Sequence, residues 1–117
     1  MVVMKMNTDI HIGDIFTCDW GYDQTNIDFI MVWEISKTGK TCECVMASVK
    51  KKIVGTQKKI VPVSQSGHGD TFRMRINKTN GISLSGSYPY CPGDTRRDTF
   101  FPWNGKPLYE TGPGFGH

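Results

Sequence analysis

Thr71-Phe72-Arg73-Met74-Arg75-Ile76 alternates strictly between polar and apolar residues, and Ile82-Ser83-Leu84-Ser85 alternates again after Asn77-Lys78-Thr79-Asn80-Gly81. A period of two is the signature of a strand with one buried face. Asn-Gly between two such runs supplies the positive φ that a tight reversal needs. The stretch therefore predicts a β-hairpin with Phe72, Met74 and Ile76 turned inward.

Working upstream, Lys37-Thr38-Gly39-Lys40 reads as a second hairpin turn, with Gly39 free to take a positive φ. The strand returning from it covers residues 41–47, with Cys42, Cys44 and Met46 on one face and Thr41, Glu43 and Val45 on the other. The strand entering it covers residues 27–35. There Ile27, Phe29, Met31, Trp33 and Ile35 share one face, while Asp28, Ile30, Val32 and Glu34 share a second face that is only partly polar. Such a strand belongs in the centre of the fold, covered on both sides. Gly13-Asp14 is a turn, residues 15–18 a short first strand, and the polar, aromatic residues 19–26 a loop.

Lys50-Lys51-Lys52 interrupts the alternation, and short extended pieces follow at Ile53-Val54 and residues 60–63. Pro62 cannot donate to a ladder, which predicts an edge strand or a strand end. Residues 64–70, Ser-Gln-Ser-Gly-His-Gly-Asp, read as a mobile polar loop. From residue 87 onward Pro, Gly and aromatic residues dominate, which reads as an irregular arm packed back onto the sheet, with one short turn near residues 94–97. No window shows a helical period. The chain is thus expected to be a single all-β domain over residues 1–117, with its core at about 10–86 and its arm at about 87–117. Its architecture is expected to be a small SH3-like barrel, with an OB-like barrel as the alternative.

The 117 residues are one domain's worth, and the composition is ordinary for a globular protein. No apolar run approaches the ~20 residues of a membrane span. Residues 1–6 are too short for a secretory core, so the cytoplasm is the expected location. The net charge of +3 conceals an asymmetry. Residues 1–34 carry six acids against Lys5 alone, and residues 35–83 carry ten Lys and Arg against Glu43 and Asp70. That predicts either two faces of opposite sign or neutralisation across a sheet.

The run Gly13-Asp14-Ile15-Phe16, followed by Trp20-Gly21-Tyr22-Asp23-Gln24-Thr25-Asn26-Ile27-Asp28-Phe29, resembles a group of small proteins carried by bacteriophages and other mobile elements. The tail Gly105-Lys106-Pro107-Leu108-Tyr109-Glu110-Thr111 is similar to the end of that group, while residues 36–100 find no match in it. The resemblance implies an accessory or counter-defence role, of which anti-CRISPR inhibition is one form, and carries over no functional residues.

Three constellations bear on chemistry. The first is the loop cluster Trp20, Tyr22, Asp23, Gln24, Asn26 and Asp28, whose rigid rings and polar groups compose a partner-binding surface. The same residues read structurally as a barrel cap with side chains closing turns. The second is the basic middle, Lys50, Lys51, Lys52, Lys58, Lys59, Arg73 and Arg75, which suits nucleic acid or an acidic partner. It also suits a solvated strand edge protected from aggregation. A single-strand binder needs aromatics interleaved with its bases, and Phe72, Met74 and Ile76 read as core instead. The third is titratable. Cys18, Cys42, Cys44 and Cys91 lack CxxC spacing and read as buried thiols, with a zinc site, with or without His68, or disulfides as the alternatives.

Paired carboxylates such as Asp23 with Asp28, or Asp14 with Asp19, would serve a metal-dependent nuclease only if they converged. His68 stands between glycines, a poor platform for a general base, and His11 and His117 read as surface residues. No catalytic signature occurs. The expectation is therefore a binding protein, not an enzyme, with no cofactor and no metal. Its expected partner is a host protein; nucleic acid is the alternative.

Overall fold

The computed structural model describes residues 9–21 and 25–111. Seven strands are present: β1 (Ile15–Trp20), β2 (Asn26–Ile35), β3 (Thr41–Val54), β4 (Gln57–Asn77), β5 (Ser83–Cys91), β6 (Asp94–Pro102) and β7 (Leu108–Thr111). No helix occurs among the described residues. Each of β1 to β5 pairs antiparallel with the next, and β6 returns to β1, so six strands close a meander barrel. Closure removes most of the exposed edges that an open sheet would carry. The expected all-β barrel is what the chain forms. The 71–85 alternation gives the β4–β5 hairpin, with Arg75 opposite Ser85 and Asn77 opposite Ser83. Asn80 (φ 57°) and Gly81 (φ 97°) supply its reversal.

Two apolar clusters hold the molecule together. The barrel interior contains Phe16, Ile30, Val32, Cys42, Cys44, Met74, Leu84, Tyr88 and Phe100. The second cluster, Ile27, Phe29, Met31, Val45, Ala47 and Ile60, lies on the other face of β2 and β3, with Trp103 and Leu108 packed against it. Strand β2 is therefore buried on both faces, as its double apolar pattern requires. Trp33 departs from that pattern and is exposed. The register shifts between Val32 and Glu34, which leaves Trp33 as the extra residue of a bulge.

Three expectations are corrected. Strand β3 does not stop at residue 47 but runs through the lysines to Val54, because β4 pairs with it as far as Val54 opposite Gln57. Residues 64–70 are not a loop but part of β4. Their polar, glycine-rich character reflects two register shifts, between Cys44 and Met46 and between Ala47 and Val49 of β3. Gln65 (φ 55°) and Gly69 (φ 79°) take the left-handed conformations these shifts need. Residues 87–111 are not an irregular arm, and residues 94–97 are strand. Tyr88 and Phe100 from this stretch are fully buried barrel residues. The prolines that suggested irregularity sit where no ladder donor is lost: Pro89 in the β5–β6 register shift, Pro92 in the turn and Pro102 at a strand end. Residues 112–117 lie outside the described residues.

Gly86 lies where β5 crosses close to β4. A Cβ there would stand 2.7 Å from Met74 Sδ and 3.1 Å from the Arg73 carbonyl oxygen. We expect Gly86→Ala to cost about 1–3 kcal/mol through overpacking, read as a lower urea midpoint at unchanged slope. Gly105→Ala, where nothing lies within 4 Å, serves as the comparison for backbone effects alone.

Candidate functional site

Beyond the barrel, the ends of β3 and β4 form a ribbon that β7 extends to three strands. Lys52 stands opposite Lys59, Lys50 opposite Val61, Lys51 opposite Ile60 and Ile53 opposite Lys58. On the other side of β4, Lys59 stands opposite Tyr109 and Lys58 opposite Glu110. Directly opposed residues share a face and successive residues do not. One face of the ribbon thus carries Lys51, Lys58, Ile60, Leu108 and Glu110. The other carries Lys50, Lys52, Lys59 and Tyr109.

The first face packs on the barrel through Ile60 and Leu108. Glu110, only 5% exposed, is the buried charge in that contact. Its Oε2 accepts the Ile27 N–H at 3.0 Å, and its Oε1 accepts Lys51 Nζ at 3.2 Å and Lys58 Nζ at 3.0 Å. Burial works against the carboxylate's charge. The Ile27 amide, Lys58 and Lys51 outweigh it and hold the Glu110 pKa below its ordinary value. The Ile27 amide needs this acceptor because β2 pairs with β3 only from Ile30 onward. Thr111 N–H donates to the Thr25 carbonyl alongside, at 3.1 Å.

The second face is electrostatically different. Among the described residues no carboxylate pairs with Lys50, Lys52 or Lys59. Tyr109 beside them is 45% exposed. The structure thus divides the five ribbon lysines into a neutralised pair and an unneutralised triplet. Arg73 and Arg75 stand apart, on the barrel portion of β4 opposite Glu43 and Thr41. Arg73 Nε donates to Glu43 Oε1 at 3.1 Å with its side chain 74% exposed, a pair worth little in water.

Of the expected loop surface, Tyr22, Asp23 and Gln24 lie outside the described residues. Trp20 and Asp28 belong to a polar network at one end of the barrel. Asp28 Oδ2 accepts Trp20 Nε1 at 2.7 Å and Tyr88 OH at 2.6 Å. Arg96 Nη1 donates to Tyr88 OH at 2.8 Å and to Asp98 Oδ2 at 2.6 Å. The Arg96 guanidinium lies 4.4 Å from the Trp20 ring centroid, and Tyr90 meets the same ring edge-on at 5.5 Å. Asn26, half-buried, stands opposite Trp20 at the start of β2. Sequence reasoning missed Tyr88 and Arg96, because only the β5–β6 register sets them opposite each other.

Burial holds the phenol and the thiol of this network in their protonated forms. Burial, with the Asp28 bond, raises the Tyr88 pKa. Burial also pushes the Cys18 thiol up to about 12, so it is no thiolate near neutrality. Burial works against the Arg96 charge, but Tyr88 and Asp98 outweigh it and raise its pKa. Cys42 and Cys44 meet in the barrel interior with their sulfurs 3.6 Å apart. The bond from Cys42, together with burial, raises the Cys44 pKa. His68, Asp70 and Cys91 line one cavity with Met46 and Tyr90. Among the described residues no group of three or more His, Cys, Asp or Glu is placed to hold a metal ion.

Set against known proteins, the chain matches no family model, no curated protein and no solved structure.

Two outcomes follow from these contacts. Glu110→Gln should cost about 1.5–3 kcal/mol, the worth of hydrogen bonds to a charged group. A depressed folded-state pKa gives stability that is complete above the ordinary value of 4.5 and is lost as pH falls through the folded value. Urea titrations should therefore show the gap between wild type and Glu110→Gln narrowing below pH 4.5. Trp20→Ala should lower the thermal midpoint, because it removes the Asp28 bond and uncovers Arg96. A cost of about 3 kcal/mol or more is expected from so large a truncation, and an unchanged midpoint would show the ring to be dispensable for folding.

Proposed function

We propose that this protein is a binding module for nucleic acid, which it holds through phosphates on Lys50, Lys52 and Lys59. The supporting observation is the division of the ribbon lysines. Glu110 takes up the charge of Lys51 and Lys58, while the opposite face keeps three cations that no carboxylate among the described residues pairs with. Unneutralised cations aligned on one face are what a phosphate backbone recognises, because each contact releases condensed counterions. Alternate residues of a strand lie about 7 Å apart and opposed residues about 5 Å apart, so the three lysines leave the ribbon from neighbouring positions on one face. The module needs no catalysis for this.

Fluorescence anisotropy with a labelled oligonucleotide tests the reading. Three phosphate contacts predict a slope of log affinity against log salt of about −2 on a single strand and about −2.7 on a duplex. The Lys50→Ala/Lys52→Ala/Lys59→Ala variant should bind at least tenfold more weakly with a nearly flat slope. Lys51→Ala should keep the slope while losing stability. No binding by the wild type at low salt, or equal binding by the triple variant, would overturn the reading.

A second reading, a bacteriophage or mobile-element accessory protein that inhibits a host defence protein, draws on the resemblance of residues 13–29 and on exposed Phe101 and Trp33. Affinity capture from a bacterial lysate separates the two. A host protein retained in stoichiometric amount after nuclease treatment favours the inhibitor, and loss of bound protein on nuclease treatment favours the nucleic-acid module.

A further inference from the structure

The barrel wall is open at one seam. Strands β1 and β6 share only two register pairs, Phe16 with Pro102 and Thr17 with Phe101. Yet β1 continues to Trp20 and β6 begins at Asp94, so the ladder stops while both strands run on. A groove of about 470 Å³ lies at this opening, between β1, β6 and β7.

Three features of the groove bear on what fills it. Phe101, 58% exposed, and Tyr109, 45% exposed, present aromatic surface in its walls. Asp19, exposed, also lines it, and a carboxylate repels phosphate but accepts N–H donors; Asp98 lines it too, with its oxygens taken by Arg96 and the Thr99 amide. Finally, Tyr109 is the residue opposite Lys59 on the lysine face, so the groove and the cationic patch share a wall.

We propose that this groove receives an unpaired base of a single-stranded nucleic acid whose phosphates lie on Lys50, Lys52 and Lys59. The inference rests on the nucleic-acid reading above and adds the form of the ligand. Charge sorts the strand: phosphates go to the lysines and are kept from the groove by Asp19. The base turns toward Tyr109 and Phe101, where its flat face stacks and its amino edge meets oxygen acceptors. A duplex offers no unstacked base and gains nothing from the groove. Stacking of this kind is sequence-tolerant and amounts to about 5- to 150-fold in affinity per base.

The test uses the full chain with a labelled mixed-sequence 20-mer, single-stranded and as its duplex, at one low salt concentration. The single strand should bind at least tenfold more tightly. Tyr109→Ala and Phe101→Leu should each weaken single-strand binding about fivefold or more, leaving duplex affinity and the salt slope unchanged. Tyr109→Phe should restore single-strand binding. Circular dichroism should be native for all three, since both side chains are exposed. Equal affinity for the two forms, with the lysine dependence intact, would overturn this inference and leave phosphate binding standing. Loss of the lysine dependence would overturn both.

Discussion

The carboxylate of Glu110 accepts bonds from the Ile27 amide, Lys51 and Lys58 while almost wholly out of water, and the rest of the molecule is arranged around that contact. A charge in such a place costs free energy unless its oxygens are satisfied, and here three donors from three strands satisfy it. The contact joins β7 to the start of β2 and to both strands of the ribbon. It thereby presses Ile60 and Leu108 onto the outer face of β2 and β3. Without that cover, Ile27, Phe29 and Met31 would be an apolar strand face in water. The polar contact and the second core are thus one device: the ion cluster sets the register and position, and apolar burial supplies most of the stabilisation.

The same device sorts the surface charge. An acidic first third and a basic middle suggested that the two would either oppose or cancel each other. Neither happens in simple form. The ribbon lysines that are neutralised are neutralised by Glu110, from the last strand. Of the early acids, Asp28 turns inward to Trp20 and Tyr88, and Arg96 of β6 closes that network. Strand alternation then puts Lys50, Lys52 and Lys59 on the face of the ribbon opposite Glu110. An alternation of side chains within a strand becomes a difference in electrostatic potential between the two faces of a ribbon.

At the barrel end, the Trp20–Asp28–Tyr88–Arg96–Asp98 chain satisfies polar groups that a small barrel cannot send into solvent. Tyr88 fills the interior with its ring and reaches the network with its hydroxyl. Arg96 stacks on Trp20 while donating to two acceptors, using the planarity that distinguishes guanidinium from ammonium. A loop surface that looked built for a partner therefore has two of its members, Trp20 and Asp28, committed to the protein's own architecture.

Local chemistry settled much of this. Period-two alternation, Asn80-Gly81 and Gly39 determined the all-β class and two hairpins, because side-chain direction and positive φ are properties of neighbouring residues. The double apolar face of residues 27–35 required cover on both sides. What local chemistry could not settle was anything that depends on a distant strand. The prolines after residue 87 looked irregular until β6 and the register shift showed that no ladder bond was lost. Residues 64–70 looked like a loop because bulges use the same glycines and polar residues that loops do. Alternation alone puts Trp33 inward, and the bulge at its position turns it out. The candidate site was half legible: the lysines were visible as a run, but which of them are neutralised depended on Glu110, some 60 positions from Lys51. Charge pairing across that separation is decided by strand register, and register is fixed only when the whole barrel closes.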